Sequence, residues 1–124
     1  MYSYKVLLWD FNSDSSYYYD IMPYILECWN TEKKRLNTRL KNLKRHKVRD
    51  LEEESKCKMP SSFEDIKRFI INKSQYQFWS RCQYEILVTG FPTRKNTEKI
   101  DAFDQIESNI DVITHIFMLN IGLI

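Results

Sequence analysis

The stretch Ser74–Pro92, SQYQFWSRCQYEILVTGFP, carries a helix signal and a strand signal within nineteen residues. Ser74 followed by Gln77 has the spacing of a capping box, which predicts that a short helix begins there. Residues 82–90 then alternate between apolar and polar side chains, the pattern of a strand with one wetter face. A glycine and a proline end that pattern. We expect residues 82–90 to form a central strand, with an aromatic lead-in that belongs to the core: Tyr76, Phe78 and Trp79.

Two further segments predict strands near the N-terminus. Residues 3–11 place apolar side chains on both faces, which favours a strand that is covered on both sides or a central strand. Polar turn residues separate it from residues 16–22, which predict the second arm of a hairpin. For the tyrosines of that arm we favour packing, and a binding surface is the alternative, because the tyrosine ring is rigid and its hydroxyl tolerates water. These tyrosines are Tyr17, Tyr18 and Tyr19.

Helix signals fill most of the remaining chain. Pro23 suits the first turn of a helix, and Ser61 with Glu64 is a second capping box that opens another. Residues 100–117 keep apolar side chains at three-and-four spacing for five turns, which predicts one long packing helix. We therefore expect an α+β fold with a small, mainly antiparallel sheet packed by helices, in a single domain of residues 1–124. The apolar C-terminal end must be covered by the fold or by a second copy, so a homodimer stays open.

The most unusual feature is a segregation of charge. Nine of the seventeen residues from Lys33 to Arg49 are basic and none is acidic, whereas the rest of the chain carries ten basic and seventeen acidic residues. Such a segment creates a positive potential that attracts anionic partners. The alternative is that the acidic residues after Arg49 fold back and neutralise it. We expect a projecting helical arm at residues 31–58, whose candidate binding residues are Lys33, Lys34, Arg35, Arg39, Lys41, Lys44, Arg45, Lys47 and Arg49.

The sequence offers little for catalysis. It has two glycines and no glycine-rich phosphate loop, and its three cysteines have no zinc-site spacing, so we expect no cofactor and no metal. Four carboxylates could hold Mg²⁺, but we favour exposed or capping roles for Asp10, Glu85, Asp101 and Asp104. We expect Cys82 to be buried and inert and His115 to lie at the surface. No run of apolar residues is long enough for a membrane span, and we predict a cytoplasmic protein that is not an enzyme.

The strings FWSRCQYEILVTGFP, EKIDAFDQIESNIDVITHIF, YKVLLWDFN and YYDIMPYI resemble small uncharacterised proteins encoded by phages and prophages of low-GC bacteria. The resemblance covers about the first 27 residues and those after Pro60, and the basic arm departs from it. It implies an accessory protein in the host bacterial cytoplasm that acts on host machinery. The most concrete member of that class is an anti-CRISPR protein, an inhibitor that binds a CRISPR effector nuclease or its nucleic-acid channel.

Three functions therefore stay open at the level of sequence. The inhibitor would bind a host defence nuclease, either through the basic arm or through an acidic helix face that mimics a duplex, formed by Asp101, Asp104, Glu107 and Asp111. The alternative is a direct nucleic-acid-binding phage regulator that uses residues 33–49, with an affinity that falls steeply with salt. The third is a self-associating virion protein.

Overall fold

The structure, a computed structural model, describes residues 1–10, 15–47, 50–77 and 102–124. Two strands precede the helices, and the fold is α+β as predicted. The strands are β1 (Lys5–Asp10) and β2 (Ser15–Asp20). The helices are α1 (Met22–Arg45), α2 (Leu51–Ser55), α3 (Phe63–Gln75), α4 (residues 102–108) and α5 (Ile110–Asn120). The predicted central strand at residues 82–90 lies outside the described residues, as do Phe78 and Trp79.

Strands β1 and β2 form the predicted antiparallel hairpin, in a register that runs from Lys5 opposite Asp20 to Asp10 opposite Ser15. Val6 and Leu8 are buried, but Leu7 on the other face is 46% exposed. The prediction that both faces are covered is therefore wrong for Leu7, whereas the side chains of Trp9 and Phe11, predicted for the same face, lie outside the described residues. The packing predicted for the tyrosines is also wrong for Tyr17 and Tyr18, which are 48% and 70% exposed. Strand propensity fixes the backbone of these residues and leaves open which face meets the core.

Helix α1 begins as the sequence predicts, with Pro23 in its first turn. The Asp20 carboxylate accepts hydrogen bonds from the Met22 N–H (3.1 Å) and from the Tyr4 N–H (3.3 Å), which ties the start of the helix to the strand ribbon. The Trp29 ring meets Phe69 of α3 and Phe117 of α5 edge-on, with centroids 5.3 and 5.2 Å apart. Helices α1, α3 and α5 thus converge on one aromatic contact in the core.

Helix α3 differs from the prediction at both ends. Its N-cap is Ser62 and not Ser61, because the Ser62 hydroxyl accepts a hydrogen bond from the Asp65 N–H (3.2 Å). Ser74 does not begin a helix: it lies in the last turn of α3, fully buried. Ser74 lies four residues after Ile70, which lies four after Ile66, so it belongs to the buried face of α3. The spacing of a capping box does not indicate such a buried position.

Tyr76 follows the C-terminal end of α3. It is 69% exposed, so the prediction that the aromatic lead-in belongs to the core is wrong for this residue.

The C-terminal packing helix is confirmed as a source of core residues but is interrupted. Asn109 leaves the helical conformation between α4 and α5, and its side-chain amide donates to the Gln105 carbonyl oxygen at 2.9 Å. Asparagine competes for backbone hydrogen bonds in this way, so periodic apolar spacing alone does not predict the break.

The core draws its buried apolar side chains from β1, α1, α3, α4 and α5 and from the residue between β2 and α1. In α4 and α5 they keep the predicted three-and-four spacing across the break at Asn109: Phe103, Ile106, Ile110, Ile113 and Phe117. Of the predicted C-terminal apolar residues, Leu123 and Ile124 are 45% and 54% exposed.

Candidate functional site

Helix α1 extends well beyond the core. It has 24 residues, about 36 Å at 1.5 Å per residue, and Trp29 is its last residue in the main core cluster. In the distal half Leu36 is buried and Leu40 and Leu43 are half-buried. One side of the extension is therefore covered and the opposite side is open to solvent.

The open side of α1 carries a basic stripe. At 100° per residue its side chains project over an arc of about 120°, from Lys33 next to the covered side to Arg45 opposite the buried Leu36. All of them are exposed, and none forms an ion pair with another residue in the described part of the chain. Asn30, Asn37 and Thr38 lie among or beside them on the helix surface, so no acidic or aromatic residue interrupts the stripe between residues 33 and 45. The basic stripe consists of Lys33, Lys34, Lys41, Lys44 and Arg45.

The two arginines on the other side of Leu36 are neutralised. Arg35 holds Glu32 with two hydrogen bonds, from Nη2 to Oε1 at 2.6 Å and from Nε to Oε2 at 3.1 Å. The hydrogen bond from Arg35 lowers the pKa of the Glu32 carboxyl below its usual value, and the same contact raises the pKa of Arg35. Arg39 forms an ion pair with Glu53 of α2. We call Arg35 and Arg39 the arginine flank.

The segment after α1 folds back along the arginine flank. Lys47 has a left-handed backbone (φ 55°) just past the last helical turn, where the chain leaves the helix. The Asp50 carboxylate caps α2 by accepting from the Glu52 N–H (3.0 Å) and the Glu53 N–H (3.3 Å), and Cys57 just after α2 is buried. The acidic segment thus neutralises part of the arm, as the alternative prediction requires.

The nine predicted basic residues therefore fall into distinct groups. Five form the basic stripe, two form the arginine flank, and Lys47 is exposed beyond the helix end. Arg49 lies outside the described residues. Glu32, which stands immediately before the basic run, was not among the predicted residues. The signal that was available is its i, i+3 spacing to Arg35, the spacing of a helical ion pair.

The other candidate sites bring few groups together. The described residues contain no cluster of three or more His, Cys, Asp or Glu side chains that could hold a metal ion. Of the four possible Mg²⁺ ligands, Asp104 is exposed, and the Asp10 side chain, Glu85 and Asp101 lie outside what the structure describes, as does Cys82. His115 is exposed, as predicted.

The predicted acidic helix face is only partly available to a partner. Asp104 and Glu107 are exposed, but Asp111 forms an ion pair with Lys67 of α3 at 3.1 Å. Asp101 lies outside the described residues. Only two carboxylates on this face, Asp104 and Glu107, are thus exposed without an ion pair to a described residue. The acidic face therefore presents less unpaired charge than the basic stripe, which has five cations.

One groove beside α1 was not predicted. It is lined by Tyr24, Cys28, Glu32 and Lys73, and the Tyr24 hydroxyl donates to the Lys73 carbonyl oxygen at 3.3 Å. Burial, and then a hydrogen bond with Cys28, raises the pKa of Tyr24. The Tyr24 hydroxyl therefore stays protonated, and its hydrogen bond to the backbone joins α1 to α3. It is not suited to act as a general base.

Comparisons of this sequence and structure with known protein families, with curated proteins and with solved structures find no match. The resemblance to phage proteins, and the inhibitor that it implies, thus stay predictions. No helix within the described residues is long and apolar enough to cross a membrane.

Proposed function

We propose that this protein binds nucleic acid through its phosphate backbone, using the basic stripe on α1. The single observation that supports this most is the division of the arm: seven described cations lie on α1, and five remain exposed on one face without an acidic partner among the described residues. On the other side of α1, Glu32 and Glu53 form ion pairs with the two arginines. The positive charge of the arm is therefore concentrated on one side of the helix and is not spread evenly around it. A concentrated positive surface of this kind binds phosphates and releases their counterions.

The dimensions of the stripe suit a short run of phosphates. Lys33 to Arg45 spans twelve residue steps, about 18 Å along the helix axis. One strand of a duplex presents a phosphate about every 3.4 Å of its axis, so the stripe faces about five nucleotides. Lysine and arginine side chains reach such phosphates without a change in the backbone, because their stems are long and flexible.

The test is a salt titration of binding to a labelled DNA duplex, followed by fluorescence anisotropy. The variant Lys34→Gln with Lys41→Gln removes two charges from the stripe. Its matched control, Lys5→Gln with Lys58→Gln, removes two exposed charges elsewhere that have no ion pair with a described residue. The stripe variant should bind more weakly. The slope of log K against log salt should become shallower by about 1.8, because each of the two lost phosphate contacts accounts for about 0.9 of the slope.

Equal losses in the two variants would show that net charge and not the stripe determines binding, and would contradict the proposal. Absence of salt-dependent binding in the unmodified protein would contradict it as well. A pull-down from host lysate separates this function from the predicted inhibitor. A host nuclease that stays bound after all nucleic acid has been digested would support the inhibitor, whereas recovery of nucleic acid alone would support the function proposed here.

A further inference from the structure

Resting on that proposed function, we infer that the ligand of the basic stripe is a linear chain of phosphates that is recognised without its bases. Three features of the arm support this: the stripe consists mainly of lysines, helix α2 covers the arginine flank, and the aromatic side chains of α1 lie outside the stripe.

The stripe itself is poorly suited to reading bases. Four of its five cations are lysines, which act as flexible point charges, and its only arginine is Arg45, the last helical residue. The commonest specific contact to guanine needs the planar fork of an arginine in the major groove. Arg35 is bonded to Glu32 through Nε and Nη2, and Arg39 is bonded to Glu53 through Nη2. Of the three arginines of α1, only Arg45 at the end of the helix is thus without an acidic partner among the described residues.

Helix α2, which lies against the arginine flank, also keeps α1 out of the major groove of a duplex. The groove is about 12 Å wide and admits one helix, whose diameter with side chains is about 10 to 12 Å. Helix α2 is tied to α1 by the contact of Glu53 with Arg39, and a second helix beside the first adds about 8 to 10 Å. Glu52 next to Glu53 is 81% exposed at its side chain, but its carboxylate is paired with Lys56 Nζ at 3.9 Å, so the bulk of α2 and not charge repulsion excludes a ligand from this side. Only the open side of α1 can approach a ligand closely.

Stacking on bases is equally disfavoured. Proteins that hold single strands stack bases on exposed aromatic rings within the basic surface. The aromatic residues of α1 are Tyr24 and Trp29, and both precede the stripe. Trp29 is buried against Phe69 and Phe117, and Tyr24 is half-buried with its hydroxyl bonded to α3. What remains on the open side is charge and a few amide and hydroxyl groups, which suffice for phosphate contacts.

The experiment is a competition assay with a labelled single-stranded oligonucleotide of mixed sequence. The competitors are the same oligonucleotide unlabelled, a scrambled sequence, an oligonucleotide of equal length in which every nucleotide is abasic, and long-chain inorganic polyphosphate. At equal salt the abasic and scrambled strands should compete within about threefold of the parent, far from the thousandfold or greater preference of base-specific binders. Polyphosphate presents phosphates alone, so its displacement of the label distinguishes a bare phosphate chain from the sugar-phosphate backbone of a nucleic acid as the ligand.

Failure of this inference is distinguishable from failure of the proposed function. If the Lys34→Gln, Lys41→Gln variant loses binding but the abasic strand competes about a hundredfold or more weakly than the parent, the stripe binds nucleic acid and the bases contribute, so the inference is overturned alone. If the variant binds every probe as the unmodified protein does, both are overturned. Displacement by the abasic strand without displacement by polyphosphate supports the inference and assigns the ligand to the sugar-phosphate backbone of a nucleic acid.

Discussion

Ser62 and Ser61 are adjacent and chemically identical, yet only Ser62 caps α3. Both serines are exposed, but only the Ser62 hydroxyl accepts from the Asp65 N–H, at 3.2 Å. We expect Ser62→Ala to lower the free energy of unfolding by about 1 kcal/mol, the usual cost of a lost N-cap, and Ser61→Ala to change it by much less. Urea denaturation of the two variants measures this difference directly. A larger loss in Ser61→Ala would place the cap where the sequence pattern suggests it.

The pair of Glu32 and Arg35 predicts a pH dependence. The pKa of Glu32 in the folded protein lies below its ordinary value of 4.5, chiefly because Arg35 donates hydrogen bonds to the carboxylate. A carboxyl with a depressed pKa stabilises the fold above the unfolded-state pKa, and this contribution is lost as pH falls through the folded-state pKa. Glu32→Gln should therefore be slightly less stable than the unmodified protein at neutral pH, and the difference should shrink as pH falls below about 4.5 and vanish below the folded-state pKa of Glu32.

Urea denaturation of both proteins between about pH 7 and about pH 2.5 measures that difference. Arg35→Gln is the complementary variant, because it removes the other half of the same pair and should lose the same pH-dependent part. A constant difference between the unmodified protein and Glu32→Gln over this range would show that the ion pair does not contribute to stability.

Among the elements, β1 and the residues before it are joined to the C-terminal helices by two side-chain amides. The Leu7 N–H donates to Gln105 Oε1 at 3.1 Å, and Gln105 Nε2 donates back to the Leu7 carbonyl oxygen at 3.0 Å. Asn120 makes the same pair of bonds with the backbone of Tyr2, both at 2.8 Å. Each amide thus pairs with the peptide backbone as a neighbouring strand would, and the N-terminal segment runs antiparallel to α4 and α5.

We expect Gln105→Ala and Asn120→Ala each to lower the free energy of unfolding by about 0.5 to 1 kcal/mol, since water can replace part of these exposed bonds. The two losses should add, because the sites are far apart along the strand and share no partner. Gln75→Ala, at an exposed glutamine in the last turn of α3, is the control and should be near neutral. If neither amide variant differs from that control, the two amides do not hold the N-terminal segment.

Local patterns predicted most of the elements and few of the contacts between them. The hairpin, the start of α1 and the buried face of α4 and α5 follow from short-range spacing, which depends on the covalent geometry of the chain. The bonds of Gln105 to Leu7 and of Asn120 to Tyr2 join residues 98 and 118 positions apart, and no local pattern encodes them. The interruption at Asn109 and the exposure of Tyr18 likewise depend on competition between backbone partners and on which face meets the core.

At the scale of the whole molecule, the sequence predicted the basic arm as a set of residues but not its division into two sides. The count of charges between Lys33 and Arg49 is readable from the chain alone. That Glu53 would reach Arg39 requires the chain to turn at Lys47 and α2 to return beside α1, which is a tertiary outcome. The division matters for function, because it concentrates the open positive charge on one side of a single helix.

The most direct measurement is a lysine-protection experiment on the unmodified protein. Acetylation of each lysine is quantified by mass spectrometry with and without a saturating oligonucleotide. We predict protection of the stripe lysines Lys33, Lys34, Lys41 and Lys44, and little change at Lys56, Lys58 and Lys67, which lie elsewhere on the fold. Uniform reactivity with and without the ligand, or protection of Lys56, Lys58 and Lys67 in place of the stripe, would show that the open side of α1 does not hold the phosphates.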